Sequence, residues 1–282
     1  MERNTKMIAE NSWLDLKGKV AVVTGAVGGM GAKITEELAK HGVNIALVDV
    51  QKDKVEAYAQ KISEQYPVKI IAIHCDTSNE GDVEMAVQTV IKQFDRVDIL
   101  INTAAILRSS LFEELSLADW QKTLNINLTG YFLMSQHFGR VMIKQGKGTM
   151  IHISTMLSKF PETYSGAYSV SKAGVNMLSK QMAAEWGQYG IRSNCILPSL
   201  VKTPLSKDFY SDPEVLKDRE RITASKRIGT LDDIANAVLY LASDRSEYTN
   251  GGELTVEGGL GIMMGDQIAK PGGRKEYAMK HK

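Results

Sequence analysis

The stretch KVAVVTGAVGGMG, residues 19–31, decides how this chain is read. Residues 19–24 (KVAVVT) form a largely apolar and β-branched run, the pattern of a parallel strand buried on both faces. Glycines follow at once, at positions 25, 28, 29 and 31. Beyond them Ile34 and Leu38 stand four apart, and His41-Gly42 closes what reads as a helix. Strand, glycine turn and helix in that order make a phosphate cradle. Glycines let the backbone turn tightly and approach a ligand, and the free N–H groups at the helix start face its charge. The spacing is G-x-x-x-G-x-G, which differs from the commoner G-x-G-x-x-G fingerprint. Gly25, Val27, Gly29, Met30 and Gly31 are the candidate cofactor-binding residues of this loop.

Outward from the loop, short β-branched runs alternate with longer amphipathic ones. Strands are expected at 44–49 (NIALVD), 68–75, 97–101, 148–154 (GTMIHIS), 191–197 and 253–256. Helices are expected at 53–66, 82–94, within 117–145, at 165–188 and at 231–243. Such alternation predicts an α/β fold: a Rossmann-type doubly wound parallel sheet of about seven strands, with right-handed crossovers. No linker or low-complexity segment interrupts it. One domain is expected over 16–260, with an N-terminal extension at 1–15 and a glycine- and lysine-rich tail at 261–282.

The chain has 282 residues, 43% hydrophobic and 24% charged, enough apolar material for a sizeable core. Its 34 basic and 33 acidic residues leave a net charge of +1, which argues against a nucleic-acid or anionic-membrane partner. The two cysteines, Cys75 and Cys195, lie in apolar runs and suit a reducing compartment. No signal peptide or membrane-length apolar run is found, so a cytoplasmic location is expected. The five histidines (41, 74, 137, 152 and 281) show no ligand spacing, so no catalytic metal is expected. A G-x-S-x-G nucleophile elbow is absent, which argues against a hydrolase.

Asp49 ends the second expected strand, 18 residues after Gly31. An acid there accepts hydrogen bonds from an adenine-ribose diol. A 2′-phosphate beside it meets a like charge, at about 4 kcal/mol for 4 Å and an effective dielectric near 20. No Arg or Lys within the loop offsets that, so NAD is expected over NADP.

Tyr168 and Lys172 are four apart in an expected helix and share one face. A phenol titrates at about 10, too high for a base at neutral pH. An ammonium about 4 Å away favours the phenolate by roughly three pH units, which brings Tyr168 near 7.

With these motifs in hand, the chain resembles the short-chain dehydrogenase/reductase family over residues 16–259. The family's T-G-x-x-x-G-x-G matches 24–31, and its Asp after the third strand matches Asp76, which the resemblance places with Thr77 at the adenine. Its Asn-Asn-Ala-Gly appears as Asn102-Thr103-Ala104-Ala105, where Asn102 and Ala104 still fit a cofactor-supporting role. The active-site Asn matches Asn127, and the catalytic Tyr and Lys match Tyr168 and Lys172. Pro-Gly-x-Val-x-Thr appears as 198–203 with Ser199 for Gly, and Val201 and Thr203 are implied to hold the nicotinamide carboxamide. The family's substrate-polarising serine lies 13 residues before the tyrosine. That count lands on Thr155, which keeps the hydroxyl donor; Ser154 serves instead if the loop carries one more residue.

The resemblance implies a hydride transfer between a secondary alcohol or ketone and NAD, with Tyr168 as general acid and base. Cyclic alcohols, sugars and steroid-like compounds are the substrate types the resemblance allows. Lys172 is implied to lower the tyrosine pKa and bind the ribose, and Asn127 to hold the long helix open together with a water. A homotetramer or dimer is implied, and the charged segment 208–221 is implied to be a substrate lid, with a solvated helix as the reading of its charge alone. Two other readings stand beside this one. A 3-oxoacyl-[acyl-carrier-protein] reductase is disfavoured by Asp49 and the neutral charge. A catalytically inactive dinucleotide-binding regulator is disfavoured by the intact Tyr168, Lys172 and Asn127.

Overall fold

All five residues of the first strand are buried, as a central strand covered on both faces requires. The computed structural model describes residues 13–203, 206, 210–263 and 265. The order is β1 (Val20–Thr24), α1 (Gly29–Lys40), β2 (Asn44–Asp49), α2 (Lys52–Gln65), β3 (Ile70–His74), α3 (Glu80–Phe94), β4 (Ile99–Asn102), α4 (Leu117–Leu124), α5 (Gly130–Gln145), β5 (Gly148–Ile153), α6 (Tyr168–Trp186), β6 (Ile191–Pro198), α7 (Pro213–Ile222), α8 (Leu231–Ala242) and β7 (Glu253–Val256). The strands form one sheet in the order β3-β2-β1-β4-β5-β6-β7, and every pairing is parallel. This is the expected doubly wound Rossmann-type sheet.

Side-chain alternation along the strands feeds two cores. Ala21 and Val23 face one layer with Ile34 and Leu38 of α1, Val55 and Ile62 of α2 and Ile234 and Val238 of α8. Val22 faces the other with Val83 and Val90 of α3, Met134 and Phe138 of α5 and Met182 of α6. α7 contributes no buried residue and lies outside both, started by Asp212 as cap and Pro213. The strand order reverses between β1 and β4, and the crevice beyond their carboxyl ends is where such sheets hold ligands.

Several expected bounds move by one or two residues, and two expectations shift further. The helical stretch expected within 117–145 is broken by a π-helical turn at Asn125–Thr129, which joins α4 to α5 and adds a residue to the local repeat. The helix expected at 165–188 starts only at Tyr168. Gly166 has φ +55°, and a methyl there would press on the Arg108 carbonyl oxygen at 2.5 Å; the chain is still turning. Most of the expected extension and tail (1–12, 264 and 266–282), and 204–205 and 207–209, the last two in the expected lid, lie outside the described residues. Among the described residues no helix is long and apolar enough to cross a membrane.

Candidate active site

Gly25 turns the chain out of β1 with φ +60°. A Cβ there would lie 2.8 Å from the Ala104 Cα, so the turn is pressed directly on the backbone that leaves β4. A Cβ at Gly31 would overlap the Gly25 carbonyl oxygen, and at Gly28 it would sit 3.3 Å from that same oxygen. α1 therefore starts against the glycine turn. Its N-terminus has no side-chain cap and no acidic residue in the first turn. By contrast α3, α4, α7 and α8 each carry a side-chain cap. Gly29, Met30 and Gly31 thus leave their N–H groups for an outside acceptor, and the donor set fits a dinucleotide diphosphate.

The β4 side closes the cradle. Thr103 N–H and Ala104 N–H donate to Thr24 Oγ1 at 3.1 and 3.3 Å, and Thr103 Oγ1 donates to the Thr24 carbonyl at 2.5 Å. The threonine that replaces the family's second Asn thus ties β4 to β1 itself. Ala105 has no positive φ, so its methyl carries no backbone strain. Asp49 is buried at the end of β2, where its carboxylate accepts from Val27 N–H (3.2 Å) and Gln51 N–H (3.0 Å). It supports the loop as well as closing a turn. Asp76 is exposed after β3 and accepts from Ser78 N–H and Oγ. Thr77 is buried, and its Oγ1 would lie 2.8 Å from a Cβ on Gly130 at the start of α5. Across the crevice, Val201 is buried and pairs with Gly229, and Thr203 exchanges hydrogen bonds with Ser206. Ser199, in place of the family's Gly, donates to the Glu257 carbonyl at 3.1 Å.

Tyr168 and Lys172 occupy the first two turns of α6. Tyr168 is half-buried, and its hydroxyl has no hydrogen-bond partner among the described residues. Lys172 is 1% exposed, and its ammonium donates to Tyr131 Oη (2.9 Å) and the Ile153 carbonyl (2.8 Å). Its Nζ lies 6.0 Å from the Tyr168 ring centroid but 4.5 Å from that of Tyr131. The expectation that Tyr168 titrates near 7 is therefore corrected. Burial pushes its phenol up to about 12, and burial pulls Lys172 down to about 7. The ammonium bonds Tyr131 and Ile153 rather than the Tyr168 hydroxyl, and stands 6.0 Å from the Tyr168 ring.

Asn127 is fully buried in the π-helical turn. Its Oδ1 accepts from Ile106 N–H at 2.9 Å, and its Nδ2 donates to the Ile106 carbonyl (2.9 Å) and to Ser171 Oγ (3.2 Å). Ser171 Oγ in turn donates to the Tyr168 carbonyl at 2.6 Å. Asn127 thereby binds the segment after β4 to the start of α6. The two candidate hydroxyls after β5 point to different neighbours. Ser154 is buried and donates to the Lys172 carbonyl at 3.2 Å. Thr155 accepts from Leu157 N–H at 3.2 Å and reaches the Pro198 carbonyl at the end of β6 at 3.4 Å.

Asn102 is buried in a polar chain: its Nδ2 meets Ser135 Oγ (3.1 Å) and His152 Nδ1 (3.2 Å), and His152 Nε2 meets Ser193 Oγ (3.1 Å). Burial pushes His152 down to about 3, so it is neutral. Its place two residues before Ser154 is structural. The sequence did not single out Tyr131, although it stands four residues after Asn127, one helical turn on. Among the described residues one group has metal-ligand composition: Glu80, Glu84 and His137, with ligating atoms within 4.8 Å of one another. It contains none of the candidate site residues.

A family model described as enoyl-(acyl carrier protein) reductase matches residues 25–261. The chain is 38% identical to a D-threitol dehydrogenase of Mycolicibacterium smegmatis, over 88% of this chain and 94% of that protein. It is 32% identical to a 3-oxoacyl-[acyl-carrier-protein] reductase of Aquifex aeolicus, over 88% and 99%. The crystal structure of a gluconate 5-dehydrogenase from Burkholderia cenocepacia, in complex with NADP and tartrate, superposes with a TM-score of 0.82 at 29% identity, over 87% of this chain and 96% of that one.

Proposed function

The chain belongs to the short-chain dehydrogenase/reductase family, oxidoreductases of alcohols and ketones, and from that premise we propose that it interconverts a small secondary alcohol and its ketone with NAD. The observation that carries this reading is Lys172. A fully buried lysine with no ion pair among the described residues is costly to keep. It stands one helical turn from a phenol and across the crevice from an uncapped glycine cradle, where such a group serves chemistry. The D-threitol dehydrogenase and gluconate 5-dehydrogenase names support a polyol or sugar-derived substrate. Exposed Phe132, Val170 and Met177 on α5 and α6 support a homodimer or homotetramer, and two buried free cysteines support a reducing, cytoplasmic setting.

Gly25, Val27, Gly29, Met30 and Gly31 would hold the diphosphate, Asp49 the adenine ribose, Asp76 and Thr77 the adenine, Asn102 and Ala104 the floor of the site. Val201 and Thr203 would hold the carboxamide end. Bound there, the nicotinamide supplies the hydride donor or acceptor. Tyr168 gives its phenol proton to the carbonyl oxygen in reduction and takes the hydroxyl proton in oxidation. Thr155 donates a hydrogen bond to the same oxygen. Lys172 orients the ribose side of the site, and Asn127 fixes α6 against β4.

Two tests follow from these roles. Thr155→Val is expected to lower kcat/KM by roughly 10²–10³-fold, the usual cost of one donor to a developing oxyanion. Ser154→Ala removes only a bond to the Lys172 carbonyl and is expected to cost less than about tenfold. Steady-state kinetics of both variants checks this; an unimpaired Thr155→Val enzyme overturns the assignment. For the cofactor, the Asp49 carboxylate opposes a 2′-phosphate, so kcat/KM is expected to favour NADH over NADPH by about 100-fold or more. Equal efficiencies overturn the NAD reading. Turnover limited to acyl-carrier thioesters in place of free ketones moves the protein to 3-oxoacyl reduction.

A further inference from the structure

Tyr131 and Lys172 are each 1% exposed, and they meet with the Lys172 Nζ 6.0 Å from the Tyr168 ring centroid. The Ile153 carbonyl accepts from Tyr131 Oη at 3.1 Å and from Lys172 Nζ at 2.8 Å, while Lys172 Nζ donates to Tyr131 Oη at 2.9 Å. A phenol has one proton. Tyr131 points its one O–H at the Ile153 carbonyl as a hydrogen-bond donor, so toward the ammonium it can only accept. Burial pushes the Tyr131 phenol well above its ordinary range, so it stays neutral. The other titratable groups facing the lysine are also uncharged. They are Tyr168 on its own helix, His152 on β5, pushed down to about 3 by burial and by the Lys172 charge, and Cys195 on β6, whose thiol burial pushes up to about 12. Lys172 makes no ion pair among the described residues, so its charge rests on two neutral acceptors, one of them Tyr131.

We propose that Tyr131 is a positioning residue for the hydride-transfer site: its hydroxyl, oriented by the Ile153 carbonyl, accepts from Lys172 and keeps that ammonium fixed and charged beside Tyr168. This rests on the reading of Tyr168 and Lys172 as the acid–base pair. The physical reason is the loss side of the balance. A buried ammonium that loses a hydrogen-bond acceptor cannot turn to water instead, so it sheds its proton at lower pH. Lys172 already loses its proton at about 7, so removing one acceptor leaves it mostly neutral under neutral conditions. A neutral lysine no longer supports the phenolate, and alcohol oxidation then needs higher pH.

The test is a titration of the cofactor-free protein, labelled with ¹³C at lysine Cε, with the Lys172 signal identified by its loss in Lys172→Met. In Tyr131→Phe, which keeps the ring and its packing, the Lys172 midpoint is expected to fall by about one pH unit or more. With NAD saturating, the rising limb of kcat/KM for alcohol oxidation is expected to move to higher pH by a similar amount; a purely structural role lowers the rate without moving the limb. If Tyr131→Phe does not fold, the wild-type protein decides: with ¹³C at tyrosine Cζ, the Tyr131 signal is expected to respond at the Lys172 midpoint and to lose that step in Lys172→Met. An unmoved lysine midpoint in folded Tyr131→Phe, or a Tyr131 signal indifferent to Lys172, overturns the proposal. The lysine and tyrosine titrations stand without turnover, so they separate this inference from the dehydrogenase reading, which fails if the wild-type protein turns over no alcohol or ketone.

Discussion

Phenylalanine at position 168 is expected to lower kcat by about 10²–10⁴-fold, the span of a lost general acid or base, while NADH still binds. The hydroxyl bonds to nothing among the described residues, so its removal cuts no structural link; the thermal midpoint is expected to stay within a degree or two. The remaining enzyme keeps the ring, the glycine cradle and Lys172, which is why binding and chemistry separate. The pH dependence has a definite sign. Burial holds the phenol proton up to about 12, so at neutral pH the group is an acid ready to donate. Ketone reduction needs that form and is expected to run at neutral pH. Alcohol oxidation needs the deprotonated form, which grows as pH rises, so the oxidative kcat/KM is expected to climb toward the alkaline side. Initial rates in both directions across pH, with NADH binding followed by fluorescence, check the whole set. An oxidative rate that declines above neutrality contradicts it.

Alanine at Gly31 is expected to weaken NAD binding about 10- to 100-fold, as overpacking of a tight site by one carbon costs about 1–3 kcal/mol. The added methyl would overlap the Gly25 carbonyl oxygen and lie 3.0 Å from both the Gly25 carbonyl carbon and Thr103 Oγ1. Those atoms are backbone and a hydroxyl already bonded to Thr24, so neither gives way freely. Either α1 or the glycine turn must move, and the donors at its N-terminus move with it. Gly28→Ala is the graded control: its methyl would meet the Gly25 oxygen at 3.3 Å, and a smaller loss is expected. Calorimetric NAD titration of both variants measures the difference. Equal affinity for Gly31→Ala and wild type would contradict the cradle as the diphosphate site.

How legible the molecule was depends on which physics each part rests on. β2 begins and ends at the residues expected from its apolar pattern, because a strand buried on both faces is written directly in the sequence. The sequence pattern starts α6 three residues early, because Ser165 to Ala167 carry no breaker except Gly166, whose left-handed φ shows only in the fold. The π-helical turn was hidden because one extra residue barely disturbs a helical apolar repeat. The site's residue identities were readable from local spacing: Tyr168 and Lys172 within one helix, Gly25 to Gly31 within one loop. Their protonation was not readable. It follows from burial and from Tyr131, on a helix 41 residues away in sequence from Lys172, and no local pattern carries that. Asp49 was readable as a strand-end acid, but its bond to Val27 N–H appears only once β2 lies beside β1.

The most direct test of the central claim is a panel of polyols, sugar-derived and cyclic alcohols and their ketones, followed by nicotinamide absorbance in wild type and Tyr168→Phe. The account predicts that the wild-type protein turns over at least one alcohol–ketone pair with NAD, and that Tyr168→Phe binds NADH as tightly but turns over that pair at no more than about a hundredth of the rate. A Tyr168→Phe protein as fast as wild type on that substrate contradicts it.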